Sequence, residues 1–308
     1  MAGMICMGAI YGLPNQRAFA HTFSGDESAS FLSLVHKIRV ESQLAADNIS
    51  NATLAQQHAK NAAGALDNNT IEEIAERNQR IANQLTSLLE NLQTAVVATS
   101  VDEGSVNQIV SDLDGILGEA VSVRIEQEQL SNSTVQALVL VNIIDDVLRN
   151  YGEAYDVGFD MTNMSMMGDH SSMQMGNNSS SKKLVNMSAY QSAQASADKA
   201  LEVFRNDLKP LGLGESSTAE GSNASSASDV SDAIAKVESS LVELRYSVNH
   251  KASPMDVMMI VHTKIHPNML IAYNLQVIPE FPLPMLIVVS SLAGIVMAMR
   301  LRQFRTKW

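Results

Sequence analysis

Apolar residues recur every three or four positions along most of this chain, the spacing of one face of an α-helix. Phe31, Leu34, Val35 and Ile38 open such a stripe, and Leu54, His58, Ala62 and Leu66 continue one at every fourth residue. Ser28 to Leu66 therefore reads as one long helix or two joined. Asp67-Asn68-Asn69-Thr70 forms a turn and N-cap cluster, with Glu73 as capping-box partner. A second helix follows through Ile71, Ile74, Ile81, Leu85, Leu88, Leu92 and Val96. A third region runs from Ser105 to about Tyr151 through Val106, Ile109, Leu113, Ile116 and Ala120. Its later part, Val135 to Leu148, is apolar on nearly every face but is interrupted by Asn142, Asp145 and Asp146. That pattern predicts a buried central helix and not a membrane span.

Gly152 to Lys183 breaks the period and reads as a linker or loop. A fourth helix, Leu184 to Leu208, is rich in Ala and Ser. Pro210 to Ala227 is a Gly/Ser/Glu linker. Val230, Ile234, Val237, Leu241, Leu244 and Val248 then alternate steps of four and three, the seam of a heptad repeat. Met255 to Ile265 predicts a short further helix. Alternating β-branched runs and hairpin turns do not occur. The expected fold class is all-α: a bundle of five or six helices forming one domain over residues 21–274, then a stalk over 275–282.

The two ends change the picture. Met1 to Ala20 carries a short apolar stretch and closes on Ala18-Phe19-Ala20, a small-x-small pattern that reads as a signal peptide, although no Lys or Arg precedes the apolar run. Leu283 to Met299 is almost wholly apolar, at the lower length limit of a transmembrane helix. Arg300, Arg302, Arg305 and Lys307 follow in the tail 300–308. The positive-inside rule places that tail in the cytoplasm and the bundle outside the cell.

Ile278-Pro279-Glu280-Phe281-Pro282, then an apolar helix and a basic tail, resembles the C-terminal sorting signal of archaeal surface proteins, the PEF/PEFG-CTERM class. The resemblance covers about the last thirty residues, with Pro282 where the PEFG form has Gly. It implies secretion, a cell-surface location, and an archaeosortase-like enzyme as processing partner through Pro279, Glu280, Phe281 and Pro282. It implies nothing about the bundle's activity.

Composition fits an exterior protein. The one cysteine, Cys6, lies in the signal segment, so the mature chain forms no internal disulfide and no thiolate metal site. Asn-x-Ser/Thr triplets start at Asn48, Asn51, Asn68, Asn132, Asn163, Asn177, Asn178, Asn186 and Asn223, which are glycosylation candidates. Leaving out Arg17, the four basic tail residues and Glu280 reduces 21 Lys plus Arg to 16 and 33 Asp plus Glu to 32, a net charge of −16. A surface so acidic repels nucleic acid, which is excluded as a partner. No phosphate loop, His-Glu-x-x-His, Glu-x-x-His or nucleophile motif is present, so the chain is not read as an enzyme.

One segment carries chemistry. Met161, Met164, Met166, Met167, Met173 and Met175 place six of the chain's 17 methionines within 15 residues, beside Asp169 and His170. The segment is polar and Gly-bearing, so these side chains are not core filler. Thioethers are soft, neutral ligands that prefer Cu(I), whereas imidazole and carboxylate suit Cu(II). Met167-Gly168-Asp169-His170-Ser171-Ser172-Met173 resembles the Met-Asp-His-Ser-x-Met repeats of copper-resistance and copper-export proteins, with Gly168 inserted and a single copy present. The competing reading is a linker that happens to be methionine-rich.

The remaining histidines divide by position. His262 and His266 are four apart, with Met258 a turn earlier and Met269 just beyond, so a metal could bridge them. Pro267, however, disfavours helical backbone at His266. His21 becomes the mature N-terminus if cleavage follows Ala20, and its amine and ring nitrogen could then chelate copper. His58, on an apolar stripe, reads as a hydrogen-bonded core residue. His36 reads as solvated, and His250 as a cation helping a helix C-terminus. Two functions stand on these residues: a surface-anchored copper-handling protein with copper as cofactor, or a glycosylated envelope protein with a structural or interaction role and no metal.

Overall fold

The computed structural model of the chain describes residues 26–98, 101–157, 183–216 and 227–275. Among the described residues every regular element is helical. The helices are α1 (Glu27–Asp47), α2 (Ala52–Ala65), α3 (Asn68–Ala95), α4 (Glu103–Arg124), the short α5 (Gln127–Leu130), α6 (Ser133–Ala154), α7 (Met187–Val203), α8 (Lys209–Ser216), α9 (Ala227–Asn249), α10 (Pro254–Ile260) and α11 (His266–Tyr273). The all-α expectation holds. The count differs because the sequence-predicted segments are divided by caps and wide turns.

The first long segment is two helices. Asn48 closes α1 with its side-chain amide on the Leu44 carbonyl at 2.8 Å, and Asn51 opens α2 by accepting from the Leu54 N–H. Asp67 caps α3 through the Thr70 N–H at 2.7 Å. Glu73 takes no part in a capping box; it pairs instead with Arg124 on α4, whose guanidinium also lies 4.3 Å over the Phe31 ring. Within α3, Asn78 leaves helical geometry, and its side-chain oxygen accepts from the N–H groups of Arg80 and Ile81. One kinked helix thereby starts twice, with a fresh N-cap at the kink.

α6 is the centre. Fifteen of its 22 residues are buried, and it packs on α1, α7 and α11. Each aliphatic side chain buried there stabilises the fold by about 1.5–3 kcal/mol. α1 and α7 flank it; α2, α3 and α4 build outward from α1, and α9 with α11 from α7. The heptad seam of α9 is fully inside, from Ile234 to Val248.

Two π turns, Phe204–Leu208 and Val261–Ile265, keep helices running where breaks were expected. In the first, the Lys209 N–H donates to the Phe204 carbonyl; in the second, the His266 N–H donates to the Val261 carbonyl, five residues back in both. Pro210 follows the first turn and Pro267 the second. A proline ring in a regular helix collides with the carbonyl four residues earlier and lacks an N–H to give it. Widening the turn relieves both problems. Residues 210–216, expected as the start of a linker, are therefore helix, and so is the chain through His266 and Pro267. Among the described residues no helix is long and apolar enough to cross a membrane; the span expected over 283–299 lies outside them.

Candidate functional site

The described residues on either side of the methionine-rich segment are tied together. The N–H groups of Val185 and Asn186 both donate to the Ala154 carbonyl, at 2.9 and 3.2 Å, and the Asn186 side chain donates to Glu153 at 2.9 Å. Val157 N–H returns to Gly152 O at 2.8 Å. Residues 154–157 and 183–186 thus meet at one place, the corner between α6 and α7. Tyrosines brace that corner: Tyr151 OH donates to Ala252 O at 2.7 Å and Tyr190 OH to Val248 O at 3.0 Å. Burial, and then contact with Tyr155, pushes the Tyr151 hydroxyl well above its ordinary range, so it stays a donor. Met161, Met164, Met166, Met167, Asp169, His170, Met173 and Met175 lie outside the described residues. So do His21, the Pro279–Pro282 motif, Asn163, Asn177, Asn178 and Asn223.

His262 and His266 are brought together. Their rings stand edge to face with centroids 5.1 Å apart. His266 Nε2 lies 3.9 Å from Asp145 Oδ1 on α6, and the Nε2 atoms of both histidines are enclosed along with that oxygen. Desolvation is the main force on Asp145, raising its carboxyl to about 7; Arg149 acts against the rise and Asp146 adds to it. Asp146 itself is ion-paired with Arg149 and, at 3.7 Å, with Lys37. The sequence marked Asp145 only as an interruption in an apolar helix. That interruption is the signal: a carboxylate on the most buried helix has to meet something polar.

A second polar node lies between α1, α2 and α7. His58 Nδ1 is 2.8 Å from Glu41 Oε2, and His58 Nε2 is 2.9 Å from Gln191 Oε1. Ser192 donates to Glu41 Oε1 at 2.5 Å, and Asn61 to Oε2 at 3.1 Å. The amide orientations fix which atom Gln191 turns to the histidine. The Leu44 carbonyl can only accept, so Asn48 gives it Nδ2 and turns Oδ1 to Gln191 Nε2, 3.0 Å away. Gln191 is left presenting its oxygen, so His58 Nε2 donates to it while Nδ1 faces Glu41 Oε2. The node is closed: every ligand-capable atom of His58 is committed, and it serves as a tie between three helices.

His36 departs from the solvated reading. It is mostly enclosed against α7, its Nδ1 has no hydrogen-bond partner, and burial, with Lys199 and Arg39 nearby, lowers its pKa to about 4. His250 does sit at the end of α9, stacked on Tyr246 at 3.8 Å with Nδ1 on the Tyr246 carbonyl. Of the described Asn-x-Ser/Thr positions, Asn51, Asn132 and Asn186 are helix N-caps. Asn68 is exposed at the start of α3, and Asn48 is committed to Leu44 and Gln191.

Among the described residues no group of three or more His, Cys, Asp or Glu side chains is gathered closely enough to hold a metal ion as it stands. No protein-family model matches the chain, and neither a curated protein nor a solved structure is detectably similar to it.

Proposed function

We propose that this chain is a surface-anchored copper-binding protein whose methionine-rich segment, Met161 to Met175 with His170, captures the ion while the bundle serves as scaffold. The observation that carries this reading is the braced corner at Ala154 and Val185. A segment flanked by tied residues and dense in thioethers can wrap Cu(I), which needs only a few soft ligands, without disturbing the core. Ordering it costs entropy, so its affinity on its own is modest.

The anchor is the apolar run Leu283 to Met299, with the basic residues Arg300 to Lys307 inside the cell and the bundle outside. A protease added to intact cells then digests the bundle, while a tag after Trp308 stays protected.

The test is Cu(I) competition against a chromogenic chelator. Replacing the six methionines by Leu keeps bulk and removes every sulfur. Helicity survives and Cu(I) binding collapses, and His170→Ala weakens Cu(II) more than Cu(I). Unchanged Cu(I) binding by the six-Leu variant overturns the reading.

The exposed Asn51, Asn68 and Asn132 favour a second reading, a glycosylated envelope protein with an interaction role. The capping oxygens of Asn51 and Asn132 leave their amide nitrogens available for a glycan. Mass spectrometry of native glycopeptides decides it.

A further inference from the structure

We infer that Asp145, His262 and His266 form a binding site for a divalent transition-metal ion at the seam between α6 and the helix that carries α10 and α11. The site lies outside the methionine-rich segment and does not depend on it. Two imidazoles and a carboxylate are the donor set that divalent copper and zinc take, copper the more tightly.

The geometry is close to what such an ion requires. A tetrahedral ion bound at about 2.0 Å by two ring nitrogens sets the ring centroids about 5 Å apart, and these rings stand at 5.1 Å, nearly perpendicular. Two donors sharing that ion lie about 3.4 Å apart; His266 Nε2 and Asp145 Oδ1 are at 3.9 Å. The carboxylate therefore has to close by about half an ångström, and as placed the three side chains are not a ligand set. Asp145 Oδ1 is enclosed and accepts no hydrogen bond, so no such bond holds it back.

The backbone contributes as well. The π turn Val261–Ile265 runs from one residue before His262 to one before His266, and it keeps both on one face of a continuous helix although Pro267 follows. π turns recur where helices are reshaped for function. The seam is also reachable, since the side chains of His266 and Asp145 keep 12% and 28% of their exposure.

The alternative is an ordinary ion pair between His266 and Asp145. The experiment uses the full chain with the six methionines changed to Leu and His170→Asn, so that the loop is stripped of ligands. Titration with Cu(II) is followed by electron paramagnetic resonance, and with Zn(II) by calorimetry. The expected result is one equivalent of ion bound through two imidazole nitrogens. Asp145→Asn and His266→Gln each weaken binding tenfold or more while circular dichroism stays helical. Asp145→Asn is isosteric, so it decides the matter even where His266→Gln unfolds. A loop-stripped chain that binds neither ion, or binds them unchanged after Asp145→Asn, overturns the inference. Failure of the loop reading shows separately, as Cu(I) affinity that does not fall on stripping.

Discussion

His58 and Glu41 meet at 2.8 Å in the interior, with 0% and 2% of their surfaces exposed, and tie α2 to α1. Gln191 and Ser192 extend the tie to α7. Removing one member leaves the polar atoms of the other buried and unmatched, which costs about 3–5 kcal/mol when the pair is ionised, whereas replacing both with apolar groups costs far less. His58→Leu and Glu41→Leu are each expected to lower stability by about that amount. The double variant is expected to be more stable than the sum of the two predicts. Urea unfolding of the four proteins measures the coupling; additive losses would mean that the pair is not an interacting unit.

His36 gives the bundle an acid-sensitive point. Its pKa is about 4 in the folded chain, below the ordinary 6.5, chiefly through burial. The unfolded chain therefore binds a proton first as pH falls. The stability this group contributes is complete above about pH 6.5 and is lost as pH drops toward 4, on the order of 2–3 kcal/mol. His36→Leu removes the dependence, and thermal unfolding of both proteins between pH 7 and 4 should show the wild type losing more. Parallel loss in the two proteins contradicts the assignment.

Gly212 is required by contact and not by conformation. A Cβ there would lie 2.8 Å from Tyr273 Cε1 and 3.0 Å from Ile234 Cδ1, and both neighbours are buried. In an open helix Gly→Ala gains about 1 kcal/mol. Here the gain is outweighed by overpacking, and Gly212→Ala should destabilise by about 1–2 kcal/mol. Gly64, which has nothing within 4 Å, is the control, and Gly64→Ala should stabilise.

The spacing of apolar residues made the helices legible. The stripe of α9 and the all-round burial of α6 follow directly from Ile234 to Val248 and from Val135 to Leu148. The helix ends were less legible. Asn48 and Asn51 divide the first segment by side-chain bonds that a periodic pattern does not contain. Pro210 and Pro267 read as breaks, because sequence rules assume regular turns; a π turn ahead of each lets the helix pass. Glu73 was assigned to a cap by proximity in sequence, yet its partner Arg124 is 51 residues away. The polar chemistry divides likewise. His262 and His266 could be paired from their spacing, whereas Asp145 is set against His266 by packing between helices distant in sequence, and Glu41 against His58 by the return of α2 along α1.

The central claim is that thioethers of the Met161 to Met175 segment hold Cu(I). Copper K-edge X-ray absorption on the Cu(I)-loaded full chain reads the ligand atoms directly. The expected result is sulfur scatterers in the copper shell, measured on a Cys6→Ser chain so that methionine is the one source of sulfur. A spectrum fitted by nitrogen and oxygen alone, or a chain that retains no copper, would contradict it.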